Sequence, residues 1–365
     1  MNIVIRADAS LEMGTGHVMR CLTLATALAN KGAVVNFICR NHLGNLIEEI
    51  QKKGFKVFSL TVLDEPEFGD SLKESMTDEP KLPHANWLGV TQKQDADECR
   101  EILQRIQPDW LIVDHYAIDQ AWQKQLKPYY DKLMVIDDLG DRQHICHLLL
   151  DQNYGSSEAK YKDLVPERCQ VLVGTQYALL RPEFAQWREY SLQKRQSTKL
   201  KSLLITMGGV DADNYTGRIL KQLEQTHLGT IDEVTVVMGA NAPHLKEVQD
   251  IAQKLNVPTQ IKINVSNMAE IMANADLAIG AAGATTWERC CLGLPTIQIV
   301  IADNQKKTAE ALSRDGIVKL IKDITEIGCV LNSSLIWMKG LSVSSAKTCD
   351  GKGCLKVMYS LEEIT

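Results

Sequence analysis

Residues 2–40 read NIVIRADASLEMGTGHVMRCLTLATALANKGAVVNFICR, and this stretch decides the fold. NIVIRAD, residues 2–8, is a short β-branched run of the kind that forms a strand. A turn containing Gly14 and Gly16 follows. Val18, Cys21, Leu22, Ala25 and Leu28 then fall on one face at helical spacing. Gly32 sits where a helix C-cap is expected, and AVVNFICR, residues 33–40, reads as the next strand. Strand, turn, helix, strand is a βαβ unit, which implies a parallel sheet with right-handed crossovers.

The same grammar runs outward. NLIEEIQKKG then KVFSL repeats helix then strand, and residues 95–107 (DADECREILQRIQ) predict a helix. DWLIVDHY, KLMVIDDLGD and HLLLDQN continue the sheet. Residues 64–95 differ: acidic residues, three prolines and little periodicity predict a long loop, in which His84 and Trp87 hint at function. A polar stretch at 181–199 marks a domain boundary. Beyond it come SLLITMGG, EVTVVMGAN, TQIKINVSNM, ADLAIGAAG and PTIQIV, each expected to be followed by a helix. The expected fold is therefore α/β, two Rossmann-like domains facing a cleft. The expected divisions are 1–180, 181–330 and a tail at 331–365 that packs back on the first domain. The periodicity of 329–365 is too weak to place its elements.

With 365 residues, 45% of them hydrophobic, both domains can bury a core. A net charge of −6 argues against a general nucleic-acid binder. Arg6 and Asp8 interrupt the first apolar run, so no signal peptide is expected, and no apolar stretch is long enough for a membrane span. The ten cysteines show no C-x-x-C spacing, and Cys21, Cys39 and Cys290 fall on apolar positions. They read as reduced core thiols of a cytoplasmic protein.

Two glycine turns of the second half carry the signs of a nucleotide site. GAAGATTWE, residues 280–288, follows a strand and opens a helix. Gly283, Ala284 and Thr285 let a diphosphate approach free backbone N–H groups. Glu288, one turn in, is placed to accept the hydroxyls of a ribose; the plainer alternative is an acidic residue favoured in a first helical turn. Gly208 and Gly209 in TMGGVDADN offer a second phosphate-binding turn. GTGHVMR resembles a dinucleotide fingerprint, but Arg20 stands where the third glycine belongs and the following strand ends in Arg40. NAD is thereby disfavoured, although Arg40 suits a 2′-phosphate. The first turn is then expected at the reacting end of the substrate, with His17 as general base or, more plainly, as a helix cap. Asp114, His115, Tyr116, Asp137, Asp138, Asp151 and Asn153 end apolar strands and are further candidates, some of them simple caps or turn formers.

RADASLEMGTGHVMRCLTLA, VDHYAID, VIDDLGDRQHICHLLLDQN, YALLRPEF, MGGVDADN and GAAGATTWE, in this order, resemble the UDP-2,4-diacetamido-2,4,6-trideoxy-β-L-altropyranose hydrolase family of pseudaminic acid biosynthesis. The resemblance runs from residue 1 to about 315, and the tail CDGKGCLKVMYSLEEI looks like longer members. It implies the glycosyltransferase B architecture, UDP bound by the second domain and sugar by the first. It implies His17 as the residue acting on water and Tyr116 lining the sugar site; Gly14, Gly16 and Arg20 of the same turn are expected to bind substrate. It further implies Arg181 near the phosphates, the backbone around Met268 on uracil, and Glu288 on ribose. Some members carry Asn where this chain has Trp287, so no ligand contact is carried over there. Hydrolysis with inversion by a monomer is expected, with no cofactor or metal demanded because helix dipole and Arg181 can stabilise the leaving UDP, and with no nucleic-acid or membrane partner. Rival readings are a UDP-sugar glycosyltransferase, an epimerase that also releases UDP, a non-catalytic UDP-sugar sensor with His17 as a cap, and an NADP oxidoreductase.

Overall fold

The computed structural model describes residues 1–62 and 82–364, which form two compact units. Most of the segment expected as a loop at 64–95 lies outside the described residues. The remainder is a short 3-10 turn at Ala85–Leu88 and the start of a helix.

Unit 1 comprises Met1–Leu179 with Gly353–Thr365. Its strands are β1 (Asn2–Ala7), β2 (Val34–Arg40), β3 (Lys56–Leu60), β4 (Trp110–Asp114), β5 (Lys132–Ile136), β6 (Leu148–Asp151) and β7 (Gln170–Val173). Among the described residues they form a parallel sheet in the order β3-β2-β1-β4-β5-β6-β7. Helices α1 (Gly16–Ala29), α2 (Ile47–Lys52), α3 (Gln92–Ile106) and α4 (Gln120–Leu126) lie between the strands. Side chains alternate across a strand, so β1 feeds two cores. Ile3 and Ile5 pack with Cys21, Leu24 and Leu28 of α1, while Val4 packs with Leu103 and Trp122. The strands are apolar throughout because both faces are covered. Helix α3 begins at Gln92, three residues before the predicted start, because Thr91 and Gln94 form a capping box.

Unit 2 spans Leu180–Lys352. The polar stretch at 181–199 is largely a helix, α5 (Pro182–Lys194), with proline in its first turn. It belongs to unit 2: Ser191 Oγ donates to Leu292 O at 2.7 Å, and Arg188 donates to Ala346 O at 2.7 Å. Strands β8 (Ser202–Thr206), β9 (Glu233–Met238), β10 (Thr259–Ile263), β11 (Leu277–Ala281), β12 (Thr296–Ile299) and β13 (Lys319–Ile321) form a second parallel sheet, in the order β10-β9-β8-β11-β12-β13. Helices α6 (Tyr215–Glu224), α7 (Leu245–Ala252), α8 (Met268–Asn274), α9 (Thr285–Cys291), α10 (Lys306–Arg314), α11 (Ile327–Asn332) and α12 (Ser334–Thr348) complete it.

The stretch treated above as one tail, 331–365, is divided. Helix α12 belongs to unit 2, and only α13 (Gly353–Glu363) joins unit 1. There Val357, Met358 and Leu361 enter the core cluster of α1, and Gly353 lies against the backbone of Ala178.

A buried ion network ties β1 to its neighbours. Arg6 Nη2 meets Asp95 Oδ2 at 2.7 Å, Arg40 Nη2 meets the same oxygen at 2.8 Å, and Trp122 Nε1 donates to Asp95 Oδ1 at 2.9 Å. Burial alone would raise the Asp95 carboxyl, but Arg6 and then Arg40 hold it below its ordinary value. Arg40 is therefore an internal counter-ion, which removes it as a nucleotide-phosphate ligand. Asp95→Ala removes the carboxylate that two buried guanidinium groups share, leaving them Asp8 and Glu98, and is expected to cost about 1–3 kcal/mol. Urea unfolding of parent and variant checks this, and equal midpoints would show that the network contributes nothing.

Candidate functional site

In unit 1 the polar residues gather at the C-terminal ends of β1, β4 and β5. Gly14 turns the chain with a positive φ of 72°, its N–H donating to Ser10 O at 2.9 Å, and α1 begins two residues later. His17 and Arg20 then stand near the start of α1, about one turn apart. β1 and β4 are adjacent, with Ala7 opposite Asp114, so the end of β4 lies beside this turn.

Asp114 is the hub. His17 Nδ1 lies 2.6 Å from Asp114 Oδ1, while Arg20 donates to the same carboxylate through Nε (2.6 Å to Oδ2) and Nη2 (2.7 Å to Oδ1). A carboxylate only accepts and a guanidinium only donates, so the proton between His17 and Asp114 belongs to Nδ1. In a neutral ring the lone pair is then on Nε2. Burial pushes the Asp114 carboxyl up, but Arg20 and then His17 outweigh it and hold the group well below the usual carboxylate range. His17 is 8% exposed, so little water surrounds the pair.

A second tier surrounds the hub. Arg20 Nη1 reaches Asp138 Oδ2 at 3.4 Å, and the Tyr116 hydroxyl donates to Asp138 Oδ1. Burial opposes ionisation of Asp138, yet Arg20 and Tyr116 keep its carboxyl below its ordinary value. The Tyr116 ring meets the His17 imidazole edge-on at 4.6 Å, and Trp87 stacks on Tyr116 at 5.7 Å. His84 packs on Trp87 at 4.4 Å, and Trp87 Nε1 donates to Glu12 Oε1 at 2.9 Å. Met19, one residue before Arg20, is 42% exposed. Asp114 touches His17 and Asp138 touches Arg20. Asp8 turns instead to Arg6 Nη1 and to the Arg40 N–H, both at 2.6 Å. Asp137 pairs with Arg142 and Asp151 with Lys160, as local anchors.

In unit 2 the two glycine turns end neighbouring strands, β8 and β11. Gly208 takes a positive φ of 99°, and Gly209 O accepts from Gly239 N at 3.0 Å. Gly239 was not singled out from sequence. A Cβ there would collide with Gly209 O, so the turns after β8 and β9 pack backbone to backbone. Gly283 and Ala284 span the turn between β11 and α9, and Thr285 is the first residue of that helix. Glu288 and Arg181 do meet, at 3.8 Å, while Arg181 also pairs with Glu183 at 2.9 Å. Burial pushes the Glu288 carboxyl up to about 7, against the opposing pull of Arg181 and Arg289. Met268 begins α8 and its side chain is buried. Trp287 is buried and so packs into the unit. Arg289, also missed, lies beneath the 281–285 turn.

Among the described residues no group of side chains has metal-ligand geometry, the cysteines are free thiols, and no helix is long and apolar enough to cross a membrane.

Residues 202–331 match the glycosyltransferase family 28 C-terminal domain. The crystal structure of Acinetobacter baumannii MurG superposes with a TM-score of 0.68 at 13% identity, covering 100% of this chain and 99% of that one. This chain has the glycosyltransferase B fold. An uncharacterised protein of Methanocaldococcus jannaschii is 26% identical over 84% of this chain, which spans 57% of that protein's length. The UDP-2,4-diacetamido-2,4,6-trideoxy-β-L-altropyranose hydrolase of Campylobacter jejuni is 27% identical over 87% of this chain and 97% of its own. The chain resembles that hydrolase across both units.

Glu288 supplies a pH test of the unit 2 site. Its ordinary value is 4.5 and its folded value about 7, so between these the folded chain keeps a proton that the unfolded chain has released. Stability therefore falls as pH rises through that window. Glu288→Gln is free of this loss, so the stability difference should move in its favour by about 1–3 kcal/mol from pH 4.5 to pH 8. Urea titrations at several pH values check this, and a pH-independent difference would refute it.

Proposed function

We propose that this chain hydrolyses UDP-2,4-diacetamido-2,4,6-trideoxy-β-L-altropyranose to UDP and the free sugar, with inversion at C1. The setting is a cytoplasmic step toward pseudaminic acid. The observation that carries the reading is the 2.6 Å contact between His17 Nδ1 and Asp114, which leaves Nε2 as the base. Similarity to the Campylobacter hydrolase supports the choice of substrate.

In this reading unit 2 takes the nucleotide and unit 1 the sugar. His17 Nε2 accepts a proton from water as its oxygen bonds to C1. The bond from C1 to the β-phosphate oxygen breaks, and its electron pair leaves with UDP. The turn at 283–286 and Arg181 stabilise the departing charge, the turns of Gly208 and Gly209 and of Met268 hold the nucleotide, and Glu288 holds the ribose. Asp114 fixes the imidazole tautomer and faces the cation that forms, as the carboxylate does in a serine hydrolase triad. Tyr116 and Trp87 flank the sugar.

Proton NMR of the protein with this substrate, in parallel with UDP-N-acetylglucosamine, tests the reading. UDP and the inverted anomer should appear from the first compound only. His17→Leu should lower turnover by about 10²–10⁴, and Asp114→Asn by about 10² or more, with UDP binding held within twofold in both. Near-full turnover in His17→Leu would remove His17 from the chemistry. The glycosyltransferase family 28 match favours a second reading, sugar transfer to an acceptor. A transferase would leave the sugar nucleotide intact in this acceptor-free experiment.

A further inference from the structure

β11 ends at Ala281 and α9 starts at Thr285, and the guanidinium of Arg289 fills the space behind the turn that joins them. Arg289 Nη2 donates to Ala281 O at 2.7 Å and to Thr286 Oγ1 at 3.2 Å, and Nη1 donates to Thr285 Oγ1 at 3.0 Å. One side chain thus grips both ends of the turn. Arg289 is 1% exposed, and its Nε has no hydrogen-bond partner.

Each of these acceptors is neutral. The neighbouring carboxylate, Glu288, faces Arg181 at 3.8 Å, and among the described residues Arg289 enters no ion pair. Burial lowers its pKa to about 10, against the smaller opposing pull of Cys290 and Glu288. A buried cation whose hydrogen-bond acceptors are all neutral is costly, and a leucine or methionine of similar volume would avoid that cost. The backbone is also arranged to admit it: a Cβ on Gly280 would come within 2.6 Å of Nη1. Arg181, by contrast, already has Glu183 at 2.9 Å.

We infer that Arg289 is a positioning residue for the diphosphate, bracing the 281–286 turn from behind and lending it a positive charge that no carboxylate hydrogen-bonds. Its effect falls on the phosphates and not on the nucleoside. The inference rests on the nucleotide reading of unit 2 given above.

Calorimetric titration of the full chain with UDP and with uridine separates the two ideas. The parent should bind UDP more tightly than uridine. In Arg289→Met that gap should shrink at least tenfold, with uridine affinity held within twofold. Arg289→Lys, which keeps the charge, should retain most of the gap. Gly280→Ala displaces the guanidinium while leaving its charge in the chain, and should narrow the gap as Arg289→Met does, which keeps the test open if the methionine variant fails to fold. An unchanged gap in these variants, or an equal weakening of UDP and uridine that marks a merely structural role, would overturn the inference. A parent that binds neither compound would overturn the nucleotide reading itself.

Discussion

The parallel register of β1 and β4 is the constraint on which the unit 1 site depends. Ala7 lies opposite Asp114, so the last residue of β4 is level with the point where the chain leaves β1 for the glycine turn. Asp114 can then accept from two side chains near the start of α1, three residues apart and on one face of the helix. A slip of one residue would turn Asp114 to the opposite face of the sheet, away from His17. The apolar clusters on both faces oppose such a slip, because it would also move Ile112 and Val113 out of their cores.

The two units use one device for different ends. Each has a glycine turn leading from a strand into a helix, and each places behind or beside that turn a charged group, from a neighbouring strand in unit 1 and from the helix itself in unit 2. In unit 1 the added group is an anion, Asp114, held by Arg20 and shared with an imidazole. In unit 2 it is a cation, Arg289, held by hydroxyl and carbonyl oxygens alone. An anion beside an imidazole favours a proton acceptor, and a cation behind a backbone turn favours an incoming anion. The fold does not choose between these chemistries; the side chain at the turn does.

This division explains what the sequence reveals and what it hides. Strands, glycine turns and the amphipathic α1 are local patterns, so both parallel sheets were legible, as were His17, Gly283 and Glu288 as residues of special turns. The partner of His17 is 97 residues away, and choosing Asp114 over Asp8 or Asp138 requires the strand order. Arg40 looked like a ligand-binding residue because strand ends commonly carry function. Its true partner, Asp95, sits in a polar helical start that reads as solvated, although the carboxylate is fully buried. Helix α12 escaped periodicity analysis for a related reason. Its buried positions include Ser334, Ser342 and Ser345, while Leu335, Ile336 and Val343 are exposed, so no apolar stripe marks its inner face.

Charge balance adds a last argument for the proposed role of His17. The cluster at the end of β4 contains two carboxylates held ionised, Asp114 and Asp138, and one guanidinium, Arg20. With a neutral imidazole the sum is one positive and two negative charges, a net −1. When His17 takes a proton the sum becomes zero. Separated charges inside a protein interact strongly because water is scarce, so a cation formed at this imidazole would face two carboxylates and one guanidinium. Tyr116 strengthens this by donating to Asp138, which keeps the second carboxylate an acceptor and leaves it ionised without a further cation. A histidine that merely capped a helix would need neither carboxylate. In the proposed reaction the charge that water attack creates would fall beside these carboxylates, which is the condition for lowering a barrier and not only for binding a substrate.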